Sequence, residues 1–103
     1  MAYKILNKND LNTQVFLMEI DAPAVARKAE PGQFIILRID EYGERVPFTI
    51  ADFDREKGTV TIIVQAVGKT TRDMQKLRTG DSILDFAGPL GMPHLWKERK
   101  RLL

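Results

Sequence analysis

The chain contains no cysteine and only one histidine, His94, among its 103 residues. Without cysteine it cannot form a disulfide, a thiolate zinc site or a cysteine-ligated iron–sulfur cluster of its own. A single histidine excludes a site built from several histidines of one chain, and we interpret His94 as a surface residue. No apolar run approaches the ~20 residues of a membrane-spanning helix, so no membrane association is expected. The first residues lack the apolar core of a signal peptide, which predicts a cytoplasmic protein.

An excess of one charge is also lacking, because 16 lysines and arginines face 14 acidic residues and the net charge is +2. This balance argues against nucleic acid or an anionic membrane as a partner. A hydrophobic fraction of 44% is ordinary for a globular domain, and the length allows one core but not two full domains. We therefore assign residues 1–91 to one domain and residues 92–103 to a basic tail.

Short apolar segments separated by turn residues predict six β-strands and one short helix. Strands at this spacing predict an all-β fold, a six-stranded antiparallel Greek-key barrel. Ala24 to Glu30 forms either a loop or a single helical turn. The helix is expected to begin with a capping box at Thr70 and to stop at Gly80. The six predicted strands cover residues 3–6, 14–20, 33–39, 45–51, 59–67 and 81–87.

Local patterns add three predictions about these strands. Alternation from Thr59 to Val67 places Val64 on one face of its strand and Ile63 on the other. Pro31-Gly32 suits the two central positions of a type II turn. Pro47 has no N–H for a ladder, which predicts an edge or a bulge in its strand.

The segment Arg45-Val46-Pro47-Phe48-Thr49 carries the first candidate chemistry. A fixed guanidinium can pair with a phosphate through two parallel hydrogen bonds. Pro47 presents a flat apolar surface, and Phe48 and Thr49 offer backbone groups and a hydroxyl to a flat heterocycle. The alternative interpretation is an edge strand with a solvated arginine.

The segment Gly68-Lys69-Thr70-Thr71, which leads into the helix, carries the second. Glycine lets a ligand approach the backbone, and the free N–H groups and partial positive charge of a helix N-terminus suit a pyrophosphate. The threonine hydroxyls add donors. Alternatively, Thr70 only caps the helix and Lys69 is a solvated loop residue.

Five motifs follow one another in the order and at the spacing of a known superfamily. Pro31 to about Pro93, and the strand before it from Tyr3, resemble the FAD-binding barrel of the ferredoxin–NADP reductase superfamily. The likeness is strongest to the electron-transfer subunit of dihydroorotate dehydrogenase B and to the small flavoprotein subunit of NADH-dependent ferredoxin–NADP reductase and sulfide dehydrogenase. The motifs are Pro31-Gly32-Gln33-Phe34, Arg45-x-Pro47-Phe48-Thr49, Ile63 to Thr71, Gly80-Asp81 and Gly88-Pro89-Leu90-Gly91.

This resemblance implies FAD as the cofactor and assigns roles to residues. Arg45 would meet the pyrophosphate together with the turn and helix N-terminus at Gly68, Lys69, Thr70 and Thr71. Val46, Pro47, Phe48 and Thr49 would lie along the isoalloxazine ring, with Thr49 able to bond near N5. Ile63, Val64 and Gln65 would line the ribityl and adenosine parts. No side chain is expected to act as an acid, base or nucleophile, because the flavin carries the chemistry.

The resemblance also implies an electron-transfer module whose partner is a larger iron–sulfur or flavin oxidoreductase subunit. In the superfamily the Gly-Pro-Leu-Gly turn leads into a domain that binds NAD(P)H. We expect this half to be absent, so the chain should not oxidise NAD(P)H by itself. A homodimer contact through Trp96 stays open. The alternatives are a truncated flavoprotein domain without activity, and a small β-barrel binding module without flavin.

Overall fold

Seven strands and two short helices form residues 3–91, the part of the chain that this computed structural model describes. The predicted basic tail, with His94 and Trp96, lies outside the described residues. The elements are β1 (Tyr3–Asp10), β2 (Val15–Asp21), α1 (Pro23–Lys28), β3 (Phe34–Arg38), β4 (Val46–Asp54), β5 (Thr59–Gln65), α2 (Lys69–Lys76), β6 (Ser82–Ile83) and β7 (Asp85–Leu90).

The strands form one antiparallel sheet in the order β6-β1-β2-β5-β4-β3-β7. β2 lies beside β5 rather than beside β3, and β3, β4 and β5 are consecutive neighbours, which is a Greek-key arrangement. Leu84 alone separates β6 from β7, and its N–H donates to the carbonyl of Ile39 at 3.1 Å. The two ends of the sheet therefore meet, and the predicted antiparallel barrel is confirmed.

The count of elements differs from the prediction in two places. The last predicted strand is interrupted at Leu84, where the chain turns from β1 to β3, so it forms two strands rather than one. The segment from Pro23 forms a helix, with proline in its first turn, where a missing N–H costs nothing. α1 buries Val25 and Ala26 against β4, β5 and β7.

The core lies inside the barrel and follows the alternation of the strands. On β5 the side chains of Ile62 and Val64 are fully buried, whereas Ile63 between them is 48% exposed, as the alternation predicts. Met74 joins this core from α2. The largest fully buried side chains are Phe16, Ile5, Met18, Ile20, Ile35, Leu37, Ile62, Met74 and Ile83.

The turn at Pro31-Gly32 agrees with its prediction, but the limits of α2 differ from those predicted. Gly32 has φ +89°, the left-handed value that the second central position of a type II turn requires. α2 is capped by Gly68 rather than Thr70, and it ends at Lys76 with Leu77 as its C-cap, before Gly80. No helix within residues 3–91 is long and apolar enough to cross a membrane.

Candidate functional site

The ladder between β4 and β5 ends halfway along the two strands. Ile50 pairs with Ile62, and pairing continues from there to Asp54 and Thr59. On the other side of the Ile50–Ile62 pair the two strands do not pair with each other. There, residues 46–49 of β4 pair only with β3, and residues 63–65 of β5 pair only with β2. We call the space between these two segments the β4–β5 cleft. It explains why Pro47 is tolerated, because one side of its strand has no ladder partner.

The outer sides of the cleft carry the residues that the sequence singled out. Pro47 and Thr49 are exposed on β4, and Ile63 and Gln65 are exposed on β5. Val46 and Phe48 alternate with them and are half-buried. The side chain of Val64 lies in the core, so it can offer a ligand only its backbone.

A cavity of about 340 Å³ opens beside this part of β4. Pro47, Phe48 and Thr49 line it together with Gly32 and Phe34, which were absent from the predicted site. Phe34 faces Thr49 directly across the β3–β4 ladder. The sequence could have indicated Phe34, because the strand that begins at Phe34 and the strand after Arg45 follow each other in the chain and successive strands often pair. The cavity combines apolar walls with one hydroxyl, a surface suited to a flat heterocycle.

The N-terminus of α2 lies at the end of β5. The first intrahelical bond runs from the N–H of Arg72 to the carbonyl of Gly68 at 2.9 Å. The amides of Lys69, Thr70 and Thr71 precede it, so they have no acceptor within the helix. Apart from the two adjacent residues, no atom lies within 4 Å of the position that a Cβ on Gly68 would take. A ligand can therefore approach this turn closely.

The two threonines of this turn have different roles. The hydroxyl of Thr71 accepts the N–H groups of Val67 at 2.9 Å and Gly68 at 3.0 Å and donates to the carbonyl of Gly68. Thr71, not Thr70, thus reaches back to stabilise the start of the helix. The hydroxyl of Thr70 instead donates to Oε1 of Glu44 at 2.9 Å.

This last contact joins the two predicted halves of the phosphate site. Glu44 directly precedes Arg45, so the segment before β4 touches the N-terminus of α2. A cavity of about 540 Å³ lies between them, lined by Tyr42 and Glu44 on one side and by Lys69 and Thr70 on the other. Asp73 also lines it. Neither Tyr42 nor Glu44 was among the predicted site residues, because no local pattern links positions 44 and 70.

Arg45 itself leans on β7. Its Nη2 lies 3.4 Å from Oδ2 of Asp85, and its side chain is 63% exposed. The same carboxylate oxygen accepts the Nε of Arg38 at 2.8 Å and lies 2.7 Å from Nη2 of Arg38. Because the Arg45 contact is long and exposed, it is weak and leaves the guanidinium able to turn towards an anion.

The arrangement fits a flavin dinucleotide. The β4–β5 cleft and its cavity offer apolar and backbone contacts. The α2 N-terminus offers amides and a hydroxyl, and Arg45 nearby offers an exposed guanidinium. A molecule with a flat ring at one end and phosphates next to it requires these two surfaces side by side.

Known proteins show the same domain. The family model for the oxidoreductase FAD-binding domain matches residues 4–94. A Clostridium beijerinckii protein, called "Uncharacterized protein in adh 3'region", is 56% identical over 91 residues, which are 88% of this chain and 31% of that protein. The Thermotoga maritima homologue of the dihydroorotate dehydrogenase B electron transfer subunit is 43% identical over 90 residues, 87% of this chain and 32% of its own.

A solved structure agrees with them. That of an NADH-dependent reduced ferredoxin–NADP oxidoreductase matches 90% of this chain and 34% of its own, with a TM-score of 0.87 and 42% identity. The chain thus spans about a third of the length of the relatives it matches. The chain belongs to the family of oxidoreductase FAD-binding domains, and its cofactor is FAD.

Proposed function

We propose that this chain is the FAD-holding part of an electron-transfer oxidoreductase. The observation that carries the proposal is the β4–β5 cleft, which opens next to the unsatisfied amides of α2. Two relatives support the assignment to an electron-transfer oxidoreductase, because one is a homologue of an electron transfer subunit and the other is an oxidoreductase.

We propose that the diphosphate binds between Arg45 and the turn formed by Gly68, Lys69, Thr70 and Thr71. Arg45 would supply charge-assisted hydrogen bonds, and the amides of the first helical turn would supply donors that need no side-chain ordering. The exposure of Gly68 supports this placement, since nothing in the barrel blocks its backbone. Lys69 lines the adjoining cavity and adds a second positive charge.

The isoalloxazine ring would lie along Pro47, Phe48 and Thr49, with Val46 supporting them from the barrel side. Thr49 stands opposite Phe34, so its hydroxyl can hold the polar edge of a ring whose faces contact apolar groups. Ile63, Gln65 and the backbone of Val64 would contact the ribityl and adenosine parts. FAD, when bound, supplies the electron transfer; the side chains of this part hold and orient it.

We further propose a larger iron–sulfur or flavin oxidoreductase subunit as the partner, since the relatives come from such electron-transfer systems. The barrel offers a flavin site, and we propose that electrons are exchanged with NAD(P)H on a further domain or subunit. The cytoplasmic location and the homodimer stay predictions, to be checked by cell fractionation and by light scattering.

FAD titration into protein stripped of flavin tests the proposal. We expect saturable binding, followed by the change in flavin absorbance and fluorescence. Arg45→Ala should weaken binding roughly tenfold, because one exposed charge-assisted contact to phosphate is lost. Riboflavin, which lacks phosphate, should bind far more weakly than FAD and should not respond to this substitution.

Arg27→Ala is the matched control, because Arg27 is an exposed arginine on α1. It removes the same charge and should leave FAD affinity unchanged. If wild-type protein binds no FAD, or if Arg27→Ala weakens FAD as much as Arg45→Ala does, the proposed site is wrong. The truncated-domain and flavin-free alternatives would then gain support.

A further inference from the structure

A carboxylate of the chain itself is bonded to a side chain in the first turn of α2. The hydroxyl of Thr70 donates to Oε1 of Glu44 at 2.9 Å, across 26 residues of chain. Thr70 belongs to the first turn of α2, whose free amides give it a partial positive charge. In this structure a side-chain donor of the first turn of α2 is thus already bonded to a negative group of the protein itself, while the backbone amides of that turn stay free of acceptors within the helix.

No cation within the described residues neutralises Glu44. Its neighbour Arg45 turns to Asp85 instead, and the ion pairs formed by residues 3–91 join only Arg38 and Arg45 to Asp85. Lys69 lines the same cavity without reaching ion-pair distance. The charge of Glu44 therefore adds to the local field that an incoming phosphate meets.

We infer that Glu44 is a residue that lowers FAD affinity by competing with the diphosphate for Thr70 and the N-terminus of α2. The inference rests on the proposed function, because it places the diphosphate at the same donors. A hydroxyl has one hydrogen to donate, so Thr70 cannot donate to both the carboxylate and a phosphate oxygen. The two anions also repel each other at contact distance.

Through this competition a residue of the chain itself limits the affinity for FAD. Glu44 is exposed and lies in the loop between β3 and β4, so it can swing away from Thr70 without disturbing the barrel. Binding of FAD then requires this displacement, which reduces the net affinity. A neutral side chain at position 44 removes the repulsion and leaves the barrel unchanged.

Glu44→Gln tests the inference by FAD titration. We expect FAD to bind roughly two- to fivefold more tightly than to wild type, the range for interactions between exposed charges. The gain should shrink at high salt, because exposed charges are screened. Glu44→Ala should tighten binding as well, and it serves as the second variant if the glutamine variant is unstable.

Glu41→Gln is the control, because Glu41 lies on the same exposed loop and its replacement changes net charge equally. Glu41 lines an adjoining cavity with Ser82 and Leu84, and no residue of α2 lines that cavity. FAD affinity of this variant should match that of wild type. If Glu44→Gln tightens FAD binding no more than Glu41→Gln does, the inference is wrong.

Two further outcomes separate this inference from the proposed function. If wild type binds FAD in an Arg45-dependent way but Glu44→Gln binds it equally or more weakly, only the inference fails. Glu44 would then act as a ligand or as a plain loop residue. If neither wild type nor any variant binds FAD, the proposed function fails, and the inference fails with it.

Discussion

Gly88 is the residue whose replacement should most disturb the backbone of the barrel. A Cβ at this position would lie 2.9 Å from Cγ2 of Ile35 and 3.2 Å from the carbonyl oxygen of Phe34. Its φ of +151° also disfavours any side chain. We expect Gly88→Ala to lower the free energy of unfolding by about 1–3 kcal/mol, through strain and overpacking. Urea denaturation followed by circular dichroism measures this loss.

Gly68→Ala is the matched comparison, because the added methyl meets no atom within 4 Å and φ is −134°. Its stability should stay within about 1 kcal/mol of wild type, the usual range for exchanging helix caps. Its FAD affinity should nevertheless fall, since the methyl occupies the space through which a phosphate approaches. Equal stability losses at positions 68 and 88 would contradict the packing described for both.

Single residues were predictable where their neighbours in sequence decide their environment. Alternation along β5 correctly separated the exposed Ile63 from the buried Val64, although the resemblance assigned both to the cofactor. The contact between Glu44 and Thr70 could not be predicted, because it depends on how a loop meets a helix 26 positions later. The same holds for Arg45 and Asp85, which meet because β3 pairs with both β4 and β7.

At the scale of elements, the start of α2 depends on Thr71. Its hydroxyl accepts two backbone N–H groups, those of Val67 and Gly68. Thr71→Val keeps the shape but removes this acceptor, so we expect a loss of about 1 kcal/mol in the free energy of unfolding, as for a lost helix cap. Thr71→Ser keeps the hydroxyl and should retain most of the stability. Thermal unfolding of both variants is the measurement.

A serine variant as unstable as the valine variant would contradict this account, because serine keeps the hydroxyl. The sequence predicted α2 itself but placed its cap at Thr70, whereas Gly68 caps it. A capping pattern fits several adjacent positions, and only the backbone dihedrals show which residue is the cap. For the same reason the sequence left α1 open. Burial of Val25 and Ala26 against the barrel decides in favour of a helix.

For the whole molecule, cofactor and stability should be linked. A ligand that binds only the folded state stabilises it by about 2.7 kcal/mol at a hundred times its Kd. In a domain of this size, 1 kcal/mol raises Tm by about 4–8 °C, so FAD should raise Tm by roughly 10 °C or more. Circular dichroism melts at increasing FAD concentration measure the shift. Arg45→Ala should show a smaller shift at the same concentration, and an identical one would argue against the proposed phosphate contact.

The order of strands was predictable only as a class. Short strands at regular spacing indicate an antiparallel barrel, and the barrel is found. Which strands adjoin, and where a ladder stops, depends on contacts far apart in sequence. The β4–β5 cleft is such a feature. Pro47 indicated an edge on β4, but residues 63–65 of β5, which do not pair with β4, contain no proline or glycine that could have indicated it.

Strands that separate within a barrel wall leave two short stretches of backbone available to any extended peptide. Exposed sheet edges recruit strands from other chains and so promote aggregation. Pro47 protects one of these stretches, since it cannot donate to an added strand. Ile63 on the other stretch has no such protection and is apolar. A bound flavin would cover both, so the cofactor would also shield the folded chain from self-association.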